Sequence, residues 1–250
     1  MANRALPLRA RCVTLLAFAL LAALACAERD PDAPPRHVLL ISIDTLRPDH
    51  LSIYGYARNT SPHIDAFFAD AEMFERAYSA EASTAPSVAS LLTGLHPQNH
   101  GVRLFYQRLG GEIPTIADHL RRAGFQTAGV VSNIVLTAEA MGIDTRFDHY
   151  DDYVDERESI RPVWERRASR TTDAAIEWLE EHRDPERRTF LWVHNIDPHT
   201  PYDPPADRPT DYTHEGELPI DVRRVPPSAL LERNREDGLD YVDRYDEEIA

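Results

Sequence analysis

The amino-acid sequence predicts an α/β domain with a mostly parallel central sheet flanked by helices. From residue 37 onwards, strand-like and helix-like segments alternate, which is the pattern of folds built on a parallel sheet. The strand-like segments are continuous apolar runs, and such runs are typical of strands buried on both faces. The 250 residues suffice for one large domain with an ample core.

Three apolar runs predict the main strands. They cover residues 37–43, 127–131 and 190–194, and the first of them ends at Asp44. A further short strand is predicted at residues 74–79, where aromatic residues recur. We expect the first strand to be buried on both faces, because its run HVLLISI shows no alternation with charged residues.

Capping residues and helix-stopping glycines delimit the predicted helices. Ser61 and Pro62 offer an N-cap and a first-turn proline, and Gly94 and Gly124 end two of the segments. The helices are predicted at residues 61–71, 86–92, 115–123, 166–182 and 228–250. Residues 201–227 hold seven Pro and are predicted to be mostly loop.

Composition excludes several function classes. The chain has 27 basic and 42 acidic residues, a net charge of −15, and every basic residue is Arg. Nucleic acid is therefore excluded as the main partner, because proteins bind phosphate backbones through clustered positive side chains and this chain is strongly acidic. Two Cys cannot build a disulfide scaffold or a Cys-rich zinc site, and the absence of Lys excludes Schiff-base chemistry.

The N-terminus predicts export to the periplasm or the cell exterior. Residues 1–25 carry three Arg and then an apolar run, the layout of a signal peptide. The run ends in small residues followed by Cys26, which resembles a bacterial lipobox and would permit membrane attachment through a lipidated Cys26. Plain secretion and an uncleaved anchor remain open alternatives. Residues 26–36 are predicted to be a linker, and residues 37–250 the catalytic domain.

Polar residues follow the predicted strands where a ligand site is expected. Asp44, Asn133 and His194 lie at these ends, and in open α/β sheets ligands bind beyond the carboxyl ends of the strands. Carboxylate and imidazole groups suit divalent metals and oxyanions. The alternative is a solvated strand end at which Asp44 caps a turn.

A hydroxyl group lies at the start of the helix predicted to begin at Pro86. Thr84 is expected just before that helix, where free N–H groups and the helix dipole favour an anion. Beside a metal held by Asp44, this hydroxyl could attack a phosphoryl or sulfuryl group. The alternative is an ordinary helix cap.

Several motifs together resemble the sulfatase family of the alkaline phosphatase superfamily. Residues 43–51 (IDTLRPDHL) and 60–65 (TSPHID) resemble its opening. Residues 84–94 followed by 97–101 resemble its nucleophile signature, and residues 194–202 resemble the motif around a substrate-contacting His. The resemblance implies an alkaline phosphatase-like fold.

The resemblance also implies roles for individual residues. Asp44 matches a metal-ligand Asp, Thr84 occupies the nucleophile position, and His199 matches a His that contacts the sulfate or phosphate group or its leaving oxygen. His100 and Asn133 fall in blocks near the site. His194 is interpreted as a packed strand-end residue, and Asp197 as a residue that shapes the loop before Pro198.

Departures from the family pattern bear on the chemistry. Sulfatases carry a Cys or Ser that becomes formylglycine, with an Arg four residues on, whereas this chain has Thr84 and Val88. Thr cannot give formylglycine by that oxidation. Thr nucleophiles are familiar in superfamily relatives that cleave or transfer phosphoesters, so the chemistry leans toward phosphoryl or phosphonyl transfer. Calcium fits the sulfatase pattern, and zinc or manganese fits the Thr-nucleophile relatives.

The family's remaining metal ligands are expected on a later strand with a Ser-Asp-His-Gly-like motif. That motif is absent here, and the last residues resemble the helix that precedes it. We therefore expect the N-terminal portion of the catalytic domain, with a fold that is incomplete at its C-terminus.

Three functions follow from the sequence. The first is an exported, metal-dependent hydrolase of small-molecule or glycan sulfate or phosphate esters. The second is a transferase that moves a phospho-alcohol head group onto a lipid or glycan. The third is a truncated, non-catalytic sulfatase-like domain.

Overall fold

The computed structural model describes residues 37–157, 163–205, 212–221, 223 and 237–250. The predicted signal peptide, Cys26 and the linker lie outside the described residues, so those expectations are not tested. The helix predicted at residues 228–250 is tested only from residue 237 onwards.

A four-stranded parallel sheet forms the centre of the domain. Its strands lie in the order β1-β6-β2-β3, and all three neighbouring pairs are parallel. The strands are β1 (His37–Ile43), β2 (Gln126–Val131), β3 (His149–Asp151) and β6 (Thr189–Asn195). A separate antiparallel pair joins β4 (Glu156–Arg157) to β5 (Trp164–Glu165). The parallel central sheet confirms the predicted fold class.

The two inner strands are buried on both faces, as their apolar runs predict. In β6, Phe190 and Trp192 point into the larger core on one face of the sheet, while Leu191 and Val193 point into a second cluster on the other face. Successive side chains of a strand point to opposite faces, so an uninterrupted apolar run can fill both cores.

The expectation that β1 is buried on both faces is wrong. Leu39 and Ile41 are 58% and 53% exposed, whereas Val38 and Leu40 pack against the larger core. β1 is an edge strand of the described sheet, and the long helix on the second face packs on β2 and β6. One face of β1 is therefore left open within the part of the chain that the structure describes.

Helices flank the sheet largely where the sequence predicts them. They are α1 (Pro62–Phe67), α2 (Thr84–Thr93), α3 (Pro97–His100), α4 (Ile116–Arg122), α5 (Ala168–Glu177) and α6 (Gly238–Ile249). A π-helical turn, Trp178–His182, continues α5, and short 3₁₀ turns lie at Pro48–His50, Ser52–Tyr54, Ile134–Leu136 and Asp144–Arg146. Among the described residues, no helix is both long enough and apolar enough to cross a membrane.

The strand predicted at residues 74–79 does not form. These residues are turns and irregular backbone, and Phe74 and Tyr78 are exposed. Their described links to other elements are side-chain hydrogen bonds, one of 3.4 Å from the hydroxyl of Tyr54 to the carbonyl of Phe74 and one of 2.7 Å between the hydroxyls of Ser79 and Ser87 of α2. A strand needs a paired neighbour, and no described segment pairs with this one.

Local capping explains where α4 begins. The hydroxyl of Thr115 accepts a hydrogen bond from the backbone N–H of Asp118, and the carboxylate of Asp118 accepts one from the backbone N–H of Thr115. This reciprocal arrangement satisfies two N–H groups that the first helical turn would otherwise leave unpaired.

Gly129, in the middle of β2, leaves room for a tyrosine ring. A Cβ atom at this position would lie 2.8 Å from Cδ2 and Cε2 of Tyr150, whose hydroxyl is tied to the carbonyl of Leu136. We predict that Gly129→Ala lowers the free energy of unfolding by about 1–3 kcal/mol, measured by urea denaturation. Gly111→Ala is the control, because a Cβ there meets nothing within 4 Å. Equal stability of the two variants would contradict the packing.

His100 links α2 to α3 as a buried, neutral side chain. Its Nδ1 accepts a hydrogen bond from the backbone N–H of Val102, so Nε2 carries the proton and donates to the hydroxyl of Ser90. Burial lowers the pKa of His100 below its usual value of 6.5. Because the unfolded chain takes up this proton first, the stabilisation is complete above pH 6.5 and is lost as the pH falls through the folded-state pKa.

We therefore predict that His100→Gln makes the free energy of unfolding less dependent on pH between 7.5 and 5. The variant is also less stable than the parent at pH 7.5, because it disturbs a buried hydrogen-bonded contact. Urea denaturation at a series of pH values measures both effects. Parallel pH profiles for parent and variant would show that His100 does not contribute to the pH dependence.

Candidate active site

The parallel sheet brings three polar side chains to one edge. Asp44 directly follows β1, and its backbone N–H donates to the carbonyl of Asn195, which extends the pairing of β1 with β6 by one residue. His194 lies near the end of β6, opposite Ser42 of β1 and Val131 of β2. Asn133 follows β2 by two residues. Since β6 lies between β1 and β2, the three residues meet at the carboxyl ends of the strands.

One oxygen of Asp44 is the meeting point of these residues. Its Oδ2 accepts hydrogen bonds from the hydroxyl of Thr84 at 2.8 Å and from the amide nitrogen of Asn133 at 3.0 Å. Nε2 of His194 lies 3.8 Å from the same oxygen. The amide of Asn133 is held in this orientation because its oxygen accepts from the backbone N–H of Val135.

The surroundings keep Asp44 ionised. Burial alone raises the pKa of its carboxyl group, but the imidazole of His194, the hydrogen bond from Thr84 and the charge of His199 together outweigh burial and lower it. A half-buried carboxylate that stays charged beside a hydroxyl is suited to binding a cation or accepting the proton of that hydroxyl.

Thr84 is the first residue of α2, and Ser83 is its N-cap. The expectation that the helix begins at Pro86, with Thr84 before it, is therefore wrong by two residues. The hydroxyl of Thr84 donates to Asp44 across the site. Proline at the third position is tolerated because the N–H groups of the first helical turn have no partner within the helix.

Asp44 and Thr84 line a common cavity of about 290 Å³. Its walls also include His194, Glu81 and Val88. This volume is at the lower end of the range for small-molecule sites. The cavity therefore exposes the proposed nucleophile and the proposed metal ligand to the same bound group.

His199 lies outside this cavity, on the loop after β6. Its backbone N–H donates to the carbonyl of Ile196, and its Nδ1 lies 2.6 Å from the carbonyl oxygen of Thr200. A carbonyl oxygen only accepts, so Nδ1 carries a proton. The structure thus brings Asp44 and Thr84 into contact and places His199 near enough for its charge to act on Asp44.

Two further residues, Asp197 on the loop after β6 and His100 at the end of α3, have structural roles. The carboxylate of Asp197 accepts from the backbone N–H of Ala168 at the start of α5, in agreement with the interpretation that Asp197 shapes its loop. His100 hydrogen-bonds to Ser90 and Val102, so its described contacts join α2 and α3.

The residue after Asp44 has a strained backbone. Thr45 has φ 54°, a left-handed conformation that a β-branched residue adopts only when its surroundings require it. Its hydroxyl donates to the carbonyl of Pro198, and its carbonyl accepts from the hydroxyl of Tyr245 on α6. These contacts fix the turn that directs Asp44 into the cavity.

The described residues fit part of a metal site. Asp44 offers a half-buried carboxylate, which suits a divalent cation, and the hydroxyl of Thr84 lies beside it. In the described part of the chain, the only three His, Cys, Asp or Glu side chains close enough to share an ion are Glu177, Glu181 and His182, which are exposed. Asp44 therefore fits as one ligand of a coordination sphere that the described residues do not complete.

His194 and Asn133 contribute more to the site than the sequence suggests. His194 is interpreted there as a packed strand-end residue, yet its imidazole faces Asp44. Asn133 is given little weight, yet it binds Asp44 directly. The sequence did contain one signal for both residues, namely their position at the end of an apolar run, which Asp44 shares.

Comparison with known proteins places the chain in one family. A family model described as Sulfatase matches residues 36–250. Among curated relatives, an N-acetylgalactosamine-6-O-sulfatase from Bacteroides thetaiotaomicron is 35% identical over 38% of this chain and 19% of its own length. An N-acetylglucosamine-6-O-sulfatase from the same organism is 26% identical over 74% of this chain and 35% of its own length. The chain thus spans about a fifth to a third of these relatives.

Solved structures share the fold at lower identity. The C-terminal periplasmic domain of EcEptC from Escherichia coli, in complex with Zn, has a TM-score of 0.61 and 18% identity over 88% of this chain and 57% of its own. The phosphonate monoester hydrolase of Agrobacterium radiobacter has a TM-score of 0.60 and 20% identity over 85% and 56%.

The family match covers nearly the whole described domain, and the matched segment contains the strand ends, the Thr84 helix and the His199 loop. The chain therefore belongs to the sulfatase family, within the alkaline phosphatase-like superfamily.

Proposed function

We propose that this chain is the N-terminal portion of an exported, metal-dependent hydrolase of sulfate or phosphate esters, with Thr84 as its nucleophile. One observation carries the proposal: the hydroxyl of Thr84 donates to the ionised carboxylate of Asp44 at 2.8 Å, inside a cavity at the carboxyl ends of the strands. Residues 37–250 form this catalytic portion, and residues 1–25 direct export.

The contacts of Thr84 and Asp44 support their proposed roles, whereas the role of His199 rests on the family resemblance and on its electrostatic effect on Asp44. Because the proton of Thr84 points at Asp44, the lone pairs of Oγ1 are free to attack sulfur or phosphorus. As Oγ1 attacks, its proton passes to Oδ2 of Asp44, an ester forms at Thr84, and the bond to the alcohol oxygen breaks; water then cleaves the ester at Thr84. His199 steadies the anion or protonates the leaving oxygen. Asp44 would also hold a divalent cation, calcium or else zinc or manganese, which would supply positive charge for the anionic ester.

The comparisons and the nucleophile point to different esters. Several curated relatives are named as sulfatases of N-acetylated amino sugars, which favours a glycan sulfate. A hydroxyl nucleophile and the likeness to a phosphonate monoester hydrolase favour a phosphoester or phosphonate ester. The same hydroxyl also suits a transferase that passes a phosphoryl head group to an acceptor. A lipidated Cys26 would attach such a transferase to a membrane.

Thr84→Ala tests the nucleophile. In the protein expressed from its full natural gene, we predict a loss of turnover of roughly 10³-fold or more, because no other group replaces Oγ1. Thr84→Ser should retain measurable turnover, since it keeps a hydroxyl at the same place. Hydrolysis of aryl sulfate, aryl phosphate and a phosphonate ester measures the rates, and the melting temperature verifies folding.

Ser83→Ala is the matched control, because Ser83 lines the same cavity and its side chain does not cap α2. Its turnover should stay close to that of the parent. Full activity of Thr84→Ala would show that a group other than Thr84 is the nucleophile. Inactivity of the parent on every ester, with any metal, would favour the non-catalytic alternative, and turnover only with an added alcohol would favour the transferase.

Asp44→Asn tests the metal ligand. The amide keeps the shape of the side chain and removes its charge, so we predict at least tenfold weaker binding of calcium, zinc or manganese. Isothermal titration calorimetry with each metal alone measures the affinity. Glu81→Gln removes a carboxylate from the wall of the same cavity without touching Asp44 and is the control. Equal loss in both variants would show that general acidity of the cavity, rather than Asp44, binds the cation.

A further inference from the structure

His194 is a buried imidazole whose two nitrogens have different surroundings. The residue is 2% exposed, and its Nδ1 lies 2.8 Å from the hydroxyl oxygen of Ser42. Its Nε2 has no hydrogen-bond partner among the described residues and lies 3.8 Å from Oδ2 of Asp44. Burying a polar atom without a hydrogen-bond partner costs free energy, which is consistent with a functional role for this nitrogen.

The neighbours of Ser42 determine which nitrogen carries the proton. The indole N–H of Trp192, which can only donate, donates to the hydroxyl oxygen of Ser42 at 2.9 Å. The hydroxyl proton of Ser42 then needs an acceptor, and Nδ1 of His194 is the acceptor within reach. Nδ1 of the neutral imidazole is therefore unprotonated, and Nε2 carries the proton.

A protonated Nε2 cannot ligate a metal, but it can donate to a carboxylate. At 3.8 Å the contact with Asp44 is longer than a hydrogen bond. A movement of roughly 1 Å would bring Nε2 within hydrogen-bonding distance of Oδ2. Hydrogen bonds in active sites often shorten only when substrate is bound.

We propose that Trp192, Ser42 and His194 form a hydrogen-bonded relay that makes His194 a positioning residue of the active site. The relay holds the proton on Nε2, and this N–H orients the carboxylate of Asp44. His194 is thus a donor toward Asp44 rather than a metal ligand. The effect on turnover rests on the proposed function, whereas the position of the proton does not.

The first experiment locates the proton without any activity measurement. The full chain is labelled with ¹⁵N-histidine, and two-bond ¹H–¹⁵N correlations are recorded at pH 7.5, with His194→Gln identifying the signals of His194. We expect an unprotonated Nδ1 and a protonated Nε2, both without metal and after addition of calcium or zinc. A proton on Nδ1, or loss of the Nε2 proton when metal is added, would overturn the relay.

Ser42→Ala extends this measurement, because it removes the donor to Nδ1 and keeps the small side chain in β1. We expect the His194 signals to change to a mixture of the two proton positions. Unchanged signals in Ser42→Ala would show that the relay does not hold the proton.

The second experiment separates positioning from packing. Gln can present an N–H close to the place of Nε2, whereas Met fills the volume without a donor. We expect His194→Met to lower kcat by about 10–100-fold with little change in KM, and His194→Gln to recover most of that loss. Equal losses in two folded variants would overturn the positioning role. Retained turnover in Thr84→Ala would instead count against the proposed function, and the proton measurement would still decide the relay.

Discussion

The structure of the site depends on a single carboxylate oxygen. Oδ2 of Asp44 accepts from Thr84, 40 residues along the chain, and from Asn133, 89 residues along it. Neither contact follows from local sequence. The contact with Asn133 exists because β6 pairs in parallel with β1 and with β2, so that the ends of three strands coincide at one edge. The contact with Thr84 exists because α2 packs its apolar side into the larger core on one face of that sheet. The long-range register of the sheet is therefore a condition for the chemistry as well as for the core.

The sequence predicts those residues whose signal is local. Asp44 ends an apolar run and Thr84 starts a helix inside a distinctive motif, so both could be identified without a structure. The contributions of His194 and Asn133 depend on which strands are neighbours, and no local pattern carries that information. The same limit explains the error at Leu39 and Ile41, since an apolar run looks alike in an inner strand and in an edge strand.

Helix α6 supports the site from a distance. The hydroxyl of Tyr245 donates to the carbonyl of Thr45 and accepts from the backbone N–H of Arg47, which fixes the turn after Asp44. Burial raises the pKa of Tyr245 to about 12, so the hydroxyl keeps its proton over the physiological range. The neighbouring Asp246, fully buried, binds His50, Tyr56 and Arg58. Removing one member would leave a buried charge unbalanced, so this network holds α6 against the turn.

The charge of the site favours a bound cation in the proposed reaction. An ionised Asp44 and Glu81 line the cavity of a chain with a net charge of −15, and a sulfate or phosphate ester is itself an anion. The described donors at Asp44 are neutral hydroxyl and amide groups, which orient the carboxylate but do not cancel its charge. These hydrogen bonds all end on Oδ2, so within the described part of the chain Oδ1 remains available to a cation. In the proposed reaction, orientation of Asp44 by the protein and neutralisation by a metal are therefore separate tasks, which fall on different oxygens of the same carboxylate.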